Sequence, residues 1–133
     1  MSTPRFQLLP AARVLPRQGG GDPAPLDGSV MWRLLGANNY ELGRSTDRFA
    51  GMDEAHAAVE DVLNQFTKLV PSIEATPSSG RWQWRLLIES QPIASSSRSF
   101  QRERECRYNL GQFLAVAPSA VLHGHPRWAG VTT

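Results

Sequence analysis

Two stretches of this chain repeat the tetrapeptide Trp-Arg-Leu-Leu, at residues 32–35 and again at residues 84–87. Beyond a one-residue slip the likeness continues, and Phe49 falls on Phe100. A matching apolar stripe then follows in each copy: Ala55, Val59, Val62, Leu63 and Phe66 in the first, and Cys106, Leu110, Phe113, Leu114 and Ala117 in the second. Such a repeat constrains architecture before any single motif does. Each copy is too short to bury a core alone, so we expect both to share one core.

The first copy predicts three strands before its helix. Residues 30–35 alternate as a strand, and the turn formers at residues 36–39 separate them from a second strand. In that second strand a single face is expected to contain Tyr40, Leu42 and Arg44. A third short strand is expected to hold Phe49.

The second copy repeats this order with strands at residues 82–89 and 92–96. Ser90 and Gln91 stand where the turn is expected. Pro92 cannot donate a hydrogen bond to a sheet, so we expect it at a strand start or a sheet edge.

An amphipathic helix follows the strands in each copy, because the apolar stripes recur at the spacing of one helix face. Pro71 and Pro118 lie shortly beyond the expected helix ends. The apolar stretches 69–73 and 120–122 are each expected to form one more strand. The predicted unit is therefore β-β-β-α-β.

The four large side chains of the repeated motif are expected to be structural. Trp32 and Leu34 share one strand face, as do Trp84 and Leu86. Packing both helices against a common sheet would bury all four.

An aromatic strand, an Asn-rich turn at residues 38–39, the strand Glu-Leu-Gly-Arg-Ser at residues 41–45 and an Ala-rich amphipathic helix together resemble the YegP-like family of small uncharacterised tandem-repeat proteins. The likeness covers roughly residues 30–123, and the second copy departs from it at Ser90-Gln91. The resemblance implies an α+β fold: two tandem β-β-β-α-β repeats sharing one antiparallel sheet, with two helices packed on it. It also implies that the last strand of one repeat joins the other repeat. It brings no established catalytic residues.

Proline and glycine content divides the chain. Residues 1–29 carry five prolines and a triple glycine, which predicts a disordered tail, with a short docked piece around residues 6–9 left open. Residues 30–124 are expected to form a single YegP-like domain, and residues 125–133 a loose C-terminus. Within the domain we place repeat one at about residues 30–74 and repeat two at about residues 81–124.

Composition favours a soluble cytoplasmic protein. Hydrophobic residues make up 41% of the chain and charged residues 20%, as in globular domains. No apolar run is long enough to cross a membrane, so no membrane partner is expected. The single cysteine, Cys106, cannot form an internal disulfide, which suits a reducing compartment.

The candidate contact residues are four arginines around the second helix: Arg98, Arg102, Arg104 and Arg107. Residues 31–66 carry a net charge of −3 and residues 82–117 a net charge of +2, so the copies differ electrostatically. The arginines could meet a polyanion or an acidic partner, form a solvated helix face, or contact the acidic residues of the first helix. Glu103 and Glu105 interrupt the positive field, and no aromatic residue stands clearly exposed for base stacking.

Three further groups are weak candidates for chemistry. His123 and His125 lack the additional ligands that a zinc site needs. Cys106 lies on a core stripe where the first copy has Ala55, which argues against a nucleophile. No glycine-rich loop accompanies the serines at residues 95–97, so a phosphate site is not specified. We therefore expect no catalytic residue, cofactor or metal.

Together these patterns predict a small non-enzymatic domain acting as a protein-interaction or accessory module. Its expected partner is another protein or a second copy of itself. Weak nucleic-acid binding through the arginines of the second repeat is the alternative.

Overall fold

The computed structural model describes residues 3–11 and 28–122. In these two ranges the chain is a mixed α+β structure with one seven-stranded sheet and two α-helices. The elements are β1 (Arg5–Pro10), β2 (Val30–Leu35), β3 (Glu41–Ser45), α1 (Met52–Asn64), β4 (Val70–Ala75), β5 (Trp82–Ile88), β6 (Gln91–Ser95), α2 (Glu103–Val116) and β7 (Val121–Leu122). Short 3₁₀ turns, Phe66–Lys68 and Ala117–Ser119, follow the two helices. Neither α-helix in the described ranges has the length and apolarity needed to cross a membrane.

The strand order is β4-β5-β6-β3-β2-β1-β7. All neighbours run antiparallel except β1 and β7, which are parallel, so the expectation of a wholly antiparallel sheet is wrong at this edge. β4, the strand after α1, pairs with β5, which agrees with the expectation that the last strand of one half pairs with the other half of the chain. The strand after α2 joins β1 instead of β2.

β1 lies within the stretch that we expected to be mostly disordered, and the docked piece left open around residues 6–9 forms this strand, Arg5–Pro10. Six consecutive residues pair with β2, from Arg5 opposite Leu35 to Pro10 opposite Val30. Phe6 is buried and its ring meets the Trp32 ring edge-on at 5.5 Å between centroids. Apolar contact on one face and a full ladder therefore stabilise this strand despite Pro10. Residues 12–27 and 123–133, including His123, His125 and the expected loose C-terminus, lie outside the described residues.

A β-bulge interrupts each central hairpin. The register shifts between Leu34 and Leu35 in the first and between Leu86 and Leu87 in the second. Leu42 is therefore an extra residue in β3, and the predicted alternation of Tyr40, Leu42 and Arg44 on one face is wrong. Gly43 faces the core instead: a Cβ built on it would lie 2.7 Å from the Trp84 ring.

The connections differ slightly from the predicted ones. Glu89 and Ser90 form the second hairpin turn with positive φ angles of 50° and 68°, so the turn begins one residue earlier than expected. Pro92 is the second residue of β6, an interior strand, which agrees with the expected strand start and not with an edge. In place of the third strand, Phe49 and Phe100 each make an isolated bridge.

The core lies between the sheet and the two helices. Trp32, Leu34, Trp84 and Leu86 are all buried, as predicted. The Phe113 ring of α2 lies 5.1 Å from the Trp84 ring and 6.4 Å from the Trp32 ring, centroid to centroid. Aromatic contact thus joins both halves of the chain into one core.

Candidate functional site

A cleft of about 900 Å³ opens beside α2. One wall is the turn between β2 and β3 together with Leu42, and the other is an exposed face of α2. Lining residues from α2 recur at the spacing of one helix face: Arg104, Glu105, Tyr108, Asn109, Gln112 and Val116. Arg98 and Phe100, from the loop before α2, and Pro4 complete the lining.

Two tyrosines face this cleft from opposite walls. Tyr40, in the turn, is 68% exposed, and Tyr108, on α2, is 69% exposed. The expectation that no aromatic residue stands exposed is therefore wrong. Exposed rings of this size are the kind of group that proteins use for contact with partners.

The loop before α2 holds an arginine over a buried ring. The Arg98 guanidinium carbon lies 4.9 Å from the centroid of the Phe100 ring. Phe100 is anchored by two backbone hydrogen bonds with Trp82, each 2.7 Å long. The cation–π contact therefore places a positive charge at the cleft.

A core side chain orients Asn109. The Trp84 indole Nε1 donates a hydrogen bond of 2.6 Å to Asn109 Oδ1. Because the amide oxygen accepts this bond, the Asn109 amide nitrogen remains as a donor group at the cleft.

An adjoining cavity of about 250 Å³ shares Tyr40, Leu42, Arg98 and Asn109 with the cleft. At its other end the Glu41 carboxylate accepts hydrogen bonds from Arg44 Nε at 2.9 Å, from Arg33 Nη1 at 3.0 Å and from the Ser97 hydroxyl. The Glu41 carboxylate is therefore already hydrogen-bonded to two arginines and a hydroxyl. The polar groups at this end of the cavity bond to one another and are not left for a ligand.

The four predicted arginines do not form one cluster, and only two of them line the cleft. Arg98 and Arg104 line the cleft. Arg107 pairs with Glu103 one turn away on α2, at 2.5 Å. Arg102 is exposed at the N-cap of α2. The alternative contact with the acidic residues of α1 is therefore wrong for Arg107, whose partner is Glu103.

The remaining candidates serve the fold. Cys106 is buried, and burial raises the pKa of its thiol to about 11, so it is a core group and not an activated nucleophile. In the serine run, Ser96 Oγ accepts from Trp84 N and Ser97 donates to Glu41. Within residues 3–11 and 28–122, no cluster of three or more His, Cys, Asp or Glu side chains could hold a metal ion.

A comparison of the two similar stretches of sequence reveals a signal for the site residues that charge and periodicity missed. At the alignment that places Ala55 on Cys106, Tyr108 stands opposite Ala57 and Asn109 opposite Ala58. The core stripe is matched between the copies, whereas these neighbouring positions are not. The exposure of Tyr40 has no comparable signal, because period-two alternation places this residue on one face with Leu42 and Arg44.

Comparison with solved structures places the fold among uncharacterised proteins. A UPF0339 protein from Shewanella oneidensis superposes with a TM-score of 0.64 and 10% sequence identity, over 90% of this chain and 89% of that one. The yegP protein of unknown function from E. coli superposes with a TM-score of 0.60 and 13% identity, over 92% of each chain. No protein-family model and no curated protein matches the sequence. At these identities the likeness shows a shared fold.

Proposed function

We propose that this chain is a YegP-like, non-enzymatic protein-interaction module that binds a segment of a partner protein in the cleft beside α2. The observation that carries the proposal is the pair Tyr40 and Tyr108, each exposed by more than two thirds and facing one cleft from opposite walls. Tyrosine and arginine are enriched among the residues that dominate binding energy at interfaces, and both line this cleft.

The chemistry of the lining supports binding over catalysis. The described cleft residues include no histidine, cysteine or serine, so the lining lacks the Ser–His and Cys–His pairs of nucleophilic catalysis. Its polar side chains are amides, guanidinium groups, two tyrosine hydroxyls and the Glu105 carboxylate, a set suited to hydrogen bonding with a ligand.

We further propose that the two halves are tandem copies of one unit, and that the cleft lies between them, with its turn wall from the first copy and its α2 wall from the second. Equivalent hydroxyls support the duplication: Ser45 Oγ accepts from Trp32 N, and Ser96 Oγ accepts from Trp84 N. β1 pairs with β2 over six residues, as β4 pairs with β5. On this correspondence the first strand of each unit precedes the Trp strand.

Peptide selection tests the interaction proposal. Random dodecapeptides displayed on phage are selected on the full chain, and the affinity of each selected peptide is measured by calorimetry. We expect Tyr40→Ala and Tyr108→Ala each to weaken binding about tenfold or more, as removal of an interface anchor does.

A matched control is Val70→Ala, which removes an exposed apolar side chain, 59% accessible, from edge strand β4. This variant should bind like the wild type. Selection of no peptide, or of peptides indifferent to both tyrosine variants, contradicts the proposal.

Single-stranded nucleic acid is the second candidate, favoured by exposed tyrosines beside Arg98 and Arg104. Rings that stack on bases and cations that meet phosphates are the usual elements of such sites. Titration of labelled single-stranded DNA and RNA at low and moderate salt tests it. Affinity that falls with salt and with Arg104→Glu supports this candidate, and no binding at low salt removes it.

A further inference from the structure

The charged side chains that line the cleft are two arginines and one glutamate. Among the described residues neither Arg98 nor Arg104 makes an ion pair, and both guanidinium groups line the cleft. Glu105 is the one carboxylate among the lining residues, so the charge of the lining is net positive. Guanidinium groups have five donors and no acceptor, and they match a carboxylate in shape.

Asn109 adds to this preference. Its amide oxygen is already occupied by the Trp84 indole at 2.6 Å, so the side chain offers its N–H groups. An asparagine amide can donate or accept hydrogen bonds, and the bond from Trp84 orients Asn109 so that its amide nitrogen is left as a donor.

The corresponding surface of the first copy has the opposite charge. Under the alignment that places Phe49 on Phe100, Arg98 stands opposite Asp47 and Arg104 opposite Asp53. At both positions the first copy has an acid where the second has an arginine, so the positive charge of the cleft comes from the second copy.

Given the proposed binding of a protein segment, on which this inference rests, we infer that the bound segment carries an Asp or Glu side chain next to an apolar residue. The carboxylate lies between Arg98, Arg104 and the Asn109 amide, and the apolar residue lies between the two tyrosines. Two guanidinium groups stand against one carboxylate in the lining, so its small net charge favours a single anionic group over a chain with many neighbouring phosphates.

The test uses the peptides selected on the full chain. We expect an acidic residue to be enriched at one position of the selected sequences. Replacement of that residue by Gln in the tightest peptide should weaken binding about tenfold, which is the worth of a charge-assisted hydrogen bond.

Arg104→Gln removes a cleft charge, and Arg107→Gln removes an equal charge from the same helix outside the cleft. We expect Arg104→Gln to reduce the difference between the acidic and Gln peptides to about twofold, and Arg107→Gln to preserve it. Thermal unfolding of both variants checks that the fold is retained.

Two results overturn the inference. If binding of the selected peptides requires Tyr40 and Tyr108 but no position prefers Asp or Glu, the proposed carboxylate in the bound segment is refuted. The proposal of a protein-interaction cleft then still stands. If Arg107→Gln abolishes the preference as strongly as Arg104→Gln, the attraction is a general effect of net charge and not of the cleft.

Discussion

The indole N–H of Trp84 donates a hydrogen bond to the side-chain oxygen of Asn109, with 2.6 Å between nitrogen and oxygen. Trp84 is fully buried on β5, and Asn109 lines the cleft from α2. The bond therefore joins the buried core to the wall of the cleft, and it fixes the orientation of the Asn109 amide.

Asn109→Ala should lower the free energy of unfolding by about 1–3 kcal/mol, because the Trp84 N–H loses its acceptor in a partly buried place. Chemical denaturation measures this change, with Gln112→Ala as the control from the same helix wall. In a double-mutant cycle, Trp84→Phe should make the loss of Asn109 cost less. Equal costs in both backgrounds would show that the bond contributes nothing to stability.

Gly43→Ala should destabilise the fold by about 1–3 kcal/mol through overpacking. A Cβ at this position would lie 2.7 Å from the Trp84 ring and 2.8 Å from the Phe113 ring. Gly111→Ala is the matched control, since a Cβ there has no neighbour within 4 Å. In the interior of α2 that change should stabilise by about 0.5–1 kcal/mol. The same sign for both variants in thermal unfolding would contradict the described packing.

Phe6→Ala tests whether β1 belongs to the folded unit. The Phe6 ring is 2% exposed and contacts Trp32, so truncation should cost about 3–5 kcal/mol. Thr3→Ala, at an exposed residue before the strand, should leave stability unchanged. Equal denaturation midpoints for the two variants would mean that β1 is not part of the sheet in solution.

Cys106 predicts a decline of stability in alkaline solution. Burial raises the pKa of its thiol from 9.0 to about 11, so the folded state holds this proton more tightly than the unfolded state. The resulting stabilisation is fully present below about pH 9 and is lost as the pH rises to about 11. Cys106→Ala, which removes the thiol and installs the residue found at the aligned position 55, should flatten this part of the stability profile. Identical profiles for wild type and variant above pH 9 would refute the assignment.

The repeat was enough to predict the helices, the central hairpins and the buried Trp and Leu residues, because each depends on local periodicity. β1 could not be assigned in the same way. Its pairing with β2 depends on contacts across the glycine- and proline-rich residues 11–29, whose composition argues against a strand. The matching strand β4 lies only six residues before β5, and its apolar run was recognised.

The cleft was predicted only in part. Arg98 and Arg104 were recognised from charge, but periodicity could not separate them from Arg107, which lies three residues from Arg104 and pairs with Glu103 instead. Period-two alternation predicts Tyr40 in a regular strand, but the bulge at Leu42 changes the face on which the neighbouring residues lie. A side chain's exposure in a turn depends on tertiary packing, which a period-two pattern does not encode.

The parallel pairing of β1 with β7 brings the first and last described strands side by side. Arg5 lies opposite Val121, a sequence separation of more than a hundred residues, so this edge closes only after the rest of the sheet has been synthesised. Contacts between such distant residues slow folding because a large loop must close first. Until β7 has been made, the backbone N–H and C=O groups along one edge of β1 have no strand partner. In a nascent chain this edge is open to pairing with a strand of another chain.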